Sequence, residues 1–292
     1  MTNPRAEYSP IIDRKPLKLP GGARVAVWVV INVEEWDINA PMARAVLPAP
    51  QGVSNVPDIP NYSWHEYGLR VGFWRIKEVL DRLGIPATVS LNASICKSYP
   101  RIVEESLKSG WEVLGHGYVQ RVLNVEKDER DVIRRSIQLV RETTGGRWPR
   151  GWMGPGLAET FDTPDILAEE GIEYVCDWVN DDQPYPMKVK KGSLVSLPYT
   201  LELNDIPIYL VQHHRSPELL ERARDHFDTL YQEGAKNARI MAISTHPYVT
   251  GVPHRIRYFE RTLEYLKGHQ GVLFWRGADI LDWYKESIEA LH

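Results

Sequence analysis

Acids and imidazoles recur at four places in this chain, each just after an apolar run that reads as a strand. They are Val33-Glu34-Glu35-Trp36, Gly115-His116-Gly117, Cys176 to Asp182, and Ser244-Thr245-His246-Pro247. A carboxylate can take a proton from water and an imidazole can hand one to a leaving group, so such a set suits hydrolysis by general acid and base. Residues this far apart meet only if the strand ends that carry them share one rim, which is how a β/α barrel builds an active site.

Glu34 and Glu35 are neighbours, so on a strand their side chains point to opposite faces and only one enters the mouth. Glu35, or alternatively Glu34, is the expected general base. His116 lies between two glycines, which let the backbone approach a ligand closely. His246 follows a buried run and precedes a proline, the strongest position for a catalytic imidazole in the chain. Asp177, Asp181 and Asp182 also follow a strand end, with Asp182 placed in the catalytic set. Arg70, in the run Tyr67-Gly68-Leu69-Arg70, is expected to hold a substrate carbonyl or pair with Glu35; Tyr67, Trp152, Asp177 and Gln120 complete the expected substrate-binding set. Trp36, Trp64, Trp152 and Trp178 fall near the motifs, and some should wall an apolar pocket. His213-His214 is read as surface or interface, because adjacent strand residues diverge, and His65 as a structural residue near the mouth.

The elements that would position these groups alternate. Residues 1–24 read as an irregular arm and residues 25–292 as one catalytic barrel. Val25 to Val33 is a nearly continuous apolar run, as expected of a strand covered on both faces. Further strands are expected at Thr88–Leu91, Trp111–Leu114, Ile172–Val175, Val195–Leu197, Ile208–Leu210, Arg239–Ser244 and Val272–Trp275. Amphipathic helices are expected between them, among them Val71 to Leu83 and Pro217 to Glu233. The Pro-rich stretch from Ala40 to Tyr62 is too long for a simple connection and reads as a lid or a subunit contact. This alternation predicts one α/β barrel.

Composition narrows the function. A net charge of -4 leaves no field for nucleic acid. Two cysteines, Cys96 and Cys176, are too few for a disulfide framework. The first eighteen residues hold three prolines among charges and no apolar core, and no stretch has the length of a spanning helix, so a cytoplasmic protein without membrane contact is expected.

In the order of its pieces the chain resembles the polysaccharide deacetylase superfamily (carbohydrate esterase family 4) from Ala23 to Trp283. The resemblance implies a distorted, seven-stranded (β/α) barrel that hydrolyses an amide bond. It matches His246 to the family's catalytic histidine and implies that one acid among Asp177, Asp181 and Asp182 orients that imidazole and stabilises its protonated form. It also matches the family's Asp-Asp pair and His-x-x-x-His motif to Glu34-Glu35 and His116 to Gln120. The second metal histidine is thus Gln120, and Trp152-Met153-Gly154-Pro155-Gly156 keeps the family's proline but lacks its arginine. Zinc normally takes three good protein ligands, and a neutral amide is a weak donor. The expected cofactor is accordingly none, or a weakly held divalent metal such as zinc on Glu35 and His116.

The same departures, with Tyr67 to Arg75, Asp181 to Tyr185 and Pro198 to Asp205, are similar to the allantoinase-like and cyclic imide hydrolase branch. That branch implies opening of a small cyclic amide, imide or ureide by a homodimer or homotetramer. The competing readings are a metal-dependent polysaccharide N-deacetylase, a linear amidase and a non-catalytic ligand-binding barrel.

Overall fold

The computed structural model describes residues 2–49, 52–53 and 55–290; Pro50 of the Pro-rich segment, Leu291 at the expected end of the last helix, and His292 lie outside them. Nine strands occur among the described residues: β1 (Val25–Val33), β2 (Thr88–Leu91), β3 (Glu112–Gly115), β4 (Gly151–Trp152), β5 (Tyr174–Val175), β6 (Tyr185–Met187), β7 (Leu194–Ser196), β8 (Arg239–Thr245) and β9 (Val272–Phe274). The fold is an α/β barrel, with more strands than the seven expected. Two of the strands, β4 and β6, are only two and three residues long, too short to leave a periodic signal. The expected strand at Ile208–Leu210 is instead a wide helical turn spanning Ile206–Val211.

Hydrogen bonding orders the sheet β6-β7-β5-β4-β3-β2-β1-β8, parallel except for the β6–β7 pair. β8 occupies one edge of β1. β2 pairs with Val30–Val33 of β1 and β9 with Val25–Val27, so these two share the other edge at different heights. The ring is closed across the β8 seam by an isolated parallel bridge between Asn204 and Ser244, and by the Ile240 N–H donating to the Asp182 carbonyl at 3.1 Å. The N-terminal arm ties down the same end: the Ala238 N–H donates to the Leu17 carbonyl, and Arg14 pairs with Asp181 at 2.5 Å.

Every residue of β1 is buried, and its two faces pack differently. Val25, Val27, Val29, Ile31 and Val33 join the outer helices, including Phe73, Ile76, Leu219, Phe227, Phe259 and Leu263. Ala26, Trp28 and Val30 point inward, against Leu114, Met153, Tyr174, Cys176 and Leu197. β8 divides in the same way, with Met241 and Ile243 outward and Ile240 and Ala242 inward. Because successive strand side chains alternate, this parity fixes what emerges at the rim. The inward series continues through Asn32 in β1 to Glu34 just after it, and through Ser244 in β8 to His246 just after it. At the opposite end the barrel is plugged: the Trp28 indole donates to Thr88, and Thr88 and Tyr174 donate to the half-buried Glu112 carboxylate.

Candidate active site

The inward-facing residues at the carboxyl ends of the strands open into a cavity of about 590 Å³, within the range of small-ligand sites. Asn32, Glu34, His116, Met153, Tyr199 and His246 line its inner part. Asp37, Ala40, Pro41, Ala43 and Arg44, from the start of the long segment after β1, line another wall.

Glu34 sits between two imidazoles. Its Oε1 lies 3.4 Å from His246 Nε2 and 3.9 Å from His116 Nε2, and its Oε2 accepts a hydrogen bond from the Trp36 indole at 3.0 Å. Burial would raise the pKa of this carboxyl, but the two histidines outweigh burial and hold it well below the ordinary range. His246 lies between two carboxylates. Burial alone would lower its pKa, whereas Asp205 and then Glu34 raise it to about 9. At neutral pH the resting pair is an ionised Glu34 and a protonated His246.

Asp205 orients that imidazole. One of its oxygens accepts from His246 Nδ1 at 2.7 Å; the other accepts from the His246 backbone N–H at 2.7 Å and from the Thr250 hydroxyl at 2.6 Å. His116 is held differently. Its Nδ1 lies 2.7 Å from the Met153 carbonyl, which can only accept, so Nδ1 carries a proton and Nε2 is the ring atom that faces Glu34. His65, buried and stacked on Trp36 at 4.4 Å, has a pKa lowered to about 4 by burial and by the charge of His246 acting against that of Glu34. It stays neutral and packs behind the carboxylate.

Several residues of the expected site lie elsewhere. Glu35 has the outward parity and does not line the cavity; its backbone N–H donates to Asn92. Asp182 contributes its carbonyl to the seam near the start of β8, and Ile240 is six residues before His246. At about 3.3 Å per residue, that places Asp182 roughly 20 Å along the strand from the imidazole it was expected to orient. Asp177 follows Cys176 with the outward parity. It is buried beneath the Gly154 N–H, which donates to both of its oxygens, and burial and then Glu159 push its pKa well up.

Trp152 faces outward too, onto Ile133 and Ile137 of the helix Glu129–Thr143. Trp178 donates to Glu159, and Trp64 is exposed. Trp36, Tyr199 and Tyr248 supply the cavity's aromatic surface instead. Gln120 does line the cavity, while His213 and His214 are both exposed.

The Tyr67-to-Gly72 motif acts through its glycines. A Cβ on Gly68 would fall 2.5 Å from the Tyr248 backbone nitrogen, and one on Gly72 would fall 2.1 Å from the Pro247 carbonyl oxygen. The turn Gly68–Gly72 is thus pressed against the short helix Pro247–Thr250, which begins directly after His246. Arg70 points away from this contact; its side chain is 71% exposed and pairs with Glu66 at 3.7 Å. The Tyr67 hydroxyl accepts from Arg75. This motif positions the His246 loop, and the cations at the cavity wall are Arg44 and Arg121.

A resident zinc does not fit these donors. The amide oxygen of Gln120 is turned to Asn92 Nδ2, at 3.3 Å, and Glu35 faces out of the cavity. Among the described residues no three His, Cys, Asp or Glu side chains converge on one ion position.

A family model for polysaccharide deacetylase matches residues 62–175. A crystal structure of a probable polysaccharide deacetylase from Pseudomonas aeruginosa PAO1 superposes with a TM-score of 0.82 at 28% identity, covering 94% of this chain and 95% of that one. The crystal structure of the Puue allantoinase gives the same TM-score and identity, over 97% of this chain and 99% of that one. A Schizosaccharomyces pombe protein named "Putative polysaccharide deacetylase" is 29% identical over 297 residues, 89% of each chain.

Proposed function

We propose that this chain, similar to polysaccharide deacetylases along most of its length, is a hydrolase of C–N bonds that opens a small cyclic amide, imide or ureide without a resident metal. One observation carries the reading: a buried acid and a protonated imidazole, Glu34 and His246, face each other in a confined cavity where the family's second metal histidine is replaced by Gln120. The likeness to a protein titled an allantoinase along almost the full length of both chains supports it.

Glu34 and His246 divide the reaction between them. A water against Glu34 Oε1 loses a proton to the carboxylate as its oxygen attacks the ring carbonyl carbon. The C–N bond then breaks as His246 Nε2 gives its proton to the leaving nitrogen, and Asp205 keeps the ring of His246 in register throughout. Glu34 is a weak base only while His246 is charged. Once His246 has given up its proton, burial dominates and raises the basicity of Glu34, so the two transfers favour one another. The proton then crosses the 3.4 Å from Glu34 back to His246, leaving a ring-opened product with a new carboxyl and a new N–H.

The wall formed by Asp37 to Arg44 favours a compact ring over a long glycan. Exposed Leu47, Val53, Val56 and Ile59 on the same segment, and Trp64 just after it, support self-association into a dimer or tetramer. No helix among the described residues is long and apolar enough to cross a membrane, and we propose a cytoplasmic location.

The deciding assay compares turnover of succinimide, dihydrouracil and allantoin with that of acetylated chito-oligomers. Ring opening with no acetate release is expected. Acetate release from the oligomers without ring opening would replace this reading with that of an N-deacetylase.

A further inference from the structure

Below the Glu34–His246 pair lies a second buried polar layer that the proposed chemistry does not use. Asn32 precedes Glu34 by two residues and Ser244 precedes His246 by two, so both lie on the inward face about 7 Å deeper. Tyr199 and Asn204 meet them there. Asn32, Tyr199 and Asn204 line the cavity, whereas Ser244 does not.

The hydrogen atoms of this layer can be assigned. Asn32 Nδ2 lies 3.3 Å from the Thr245 carbonyl, a pure acceptor, which fixes the amide's orientation and makes its 2.8 Å contact with Ser244 Oγ a donation. The Ile206 N–H, a pure donor, reaches Asn204 Oδ1 at 3.0 Å, so Asn204 Nδ2 donates to the Tyr199 hydroxyl at 3.1 Å. Tyr199 and Ser244 touch hydroxyl to hydroxyl, and one hydrogen lies between them. If Tyr199 supplied it, the Ser244 hydrogen would be left buried with no acceptor, a costly omission. If Ser244 supplies it, the Ser244 hydrogen is satisfied and the hydrogen left over is that of Tyr199, which lines the cavity and can turn toward an acceptor there. Burial first of all raises the Tyr199 pKa above its ordinary value, so the phenol keeps that hydrogen.

We propose that Tyr199 is a specificity-determining hydrogen-bond donor, held by Ser244, Asn32 and Asn204, that receives a second carbonyl oxygen of the substrate deep in the cavity. The inference rests on the ring-opening reading and narrows it: the preferred substrate is a ring with two carbonyl groups, an imide or a ureide, and not a simple lactam.

The test uses succinimide and 2-pyrrolidinone, which differ by one carbonyl, on the full-length protein. Binding is measured by calorimetry under conditions of negligible turnover, and kcat and KM separately. Wild type should bind succinimide about tenfold more tightly than pyrrolidinone, the size of one well-made buried hydrogen bond. Tyr199→Phe, which keeps the ring and its packing, should erase that preference by raising KM for succinimide while leaving pyrrolidinone binding unchanged. Ser244→Ala should weaken the preference in part, by removing the donor that turns the phenolic hydrogen toward the cavity. Equal losses for both probes in Tyr199→Phe, an undiminished preference, or no binding of either probe to wild type would each overturn the proposal. Succinimide bound with the expected preference but never opened would instead refute the ring-opening reading and leave the donor assignment in place.

Discussion

Replacing Asp205 by Asn tests the acid-base assignment at the residue that holds it together. Asn keeps the volume but has one acceptor oxygen in place of two, and its amide would meet a donor at either His246 Nδ1 or the His246 backbone N–H, both now 2.7 Å from carboxylate oxygens. The charge that raises His246 to about 9 falls to Glu34 alone, while burial still lowers it, so its pKa moves down toward 6.5. At pH 7.5 an imidazole of pKa 9 is almost wholly protonated, and one of pKa 6.5 is protonated in roughly one molecule in ten. That alone removes about tenfold of activity, and loss of orientation adds more, for a fall in kcat on the order of 10²–10⁴-fold. The alkaline limb of kcat/KM should move from about pH 9 toward neutrality. Stability responds with a definite sign: a raised imidazole pKa stabilises the fold fully below about pH 6.5, and this contribution, on the order of 3 kcal/mol, is lost as pH rises through 9. Wild type should therefore lose stability across that interval and Asp205→Asn much less. The measurements are pH–rate profiles on the best ring substrate and urea unfolding at pH 6.5 and 9. A variant within threefold of wild type, with its alkaline limb unmoved, would refute the assignment.

Glu34→Gln should lower kcat by at least about 10²-fold, and His246→Ala similarly, with circular dichroism unchanged; near-wild-type turnover in either would remove that residue from the reaction. Arg70→Ala should leave kcat/KM within about twofold, since its side chain is exposed and pairs only with Glu66; a tenfold loss would restore it to the substrate-binding set. Exhaustive chelation should leave turnover intact and added zinc should inhibit, more strongly as pH rises and His246 gives up the competing proton. Complete loss on chelation, reversed by zinc alone, would overturn the metal-independent reading.

The strands that carry Glu34, His116 and His246 were legible because apolar runs lead directly into these residues, whereas the short β4 and β6 were not. Nor was parity. On β1 both faces are buried, so Val25 to Val33 shows no alternation, and nothing in the run says whether Glu34 or Glu35 inherits the inward face. The same silence let Trp152 and Asp177, one residue out of phase with the inward Met153 and Cys176, pass as site residues. Asp205 was missed for another reason. It follows no strand, and its approach to His246 depends on the wide turn Ile206–Val211, whose apolar run reads as a strand. One signal did exist, since the segment from Pro198 to Asp205 belongs to the motifs shared with the allantoinase-like branch. The spacing of Gly68 and Gly72 was legible as a motif, but its meaning was not, because the element it packs against lies 180 residues downstream.

The replacement of a metal position by an amide and the protonated state of His246 are two sides of one charge balance. Glu34 and Asp205 bring two negative charges into a site where burial makes each costly unless it is paired. A divalent cation could pair both, but it would also repel the proton from His246 and remove the general acid. With Gln120 in place of a histidine the cation loses a ligand, and His246, 3.4 Å from one carboxylate and 2.7 Å from the other, supplies the positive charge between them. For the ring opening we propose, the arrangement stores the proton that the leaving nitrogen would need at the atom that would deliver it. It also explains why the acid here is Glu and not the shorter Asp of the family motif. In the metal-independent reaction we propose, the carboxylate itself must reach the two imidazoles, and the added methylene lengthens its arm from the end of β1 while its second oxygen remains tied to the Trp36 indole.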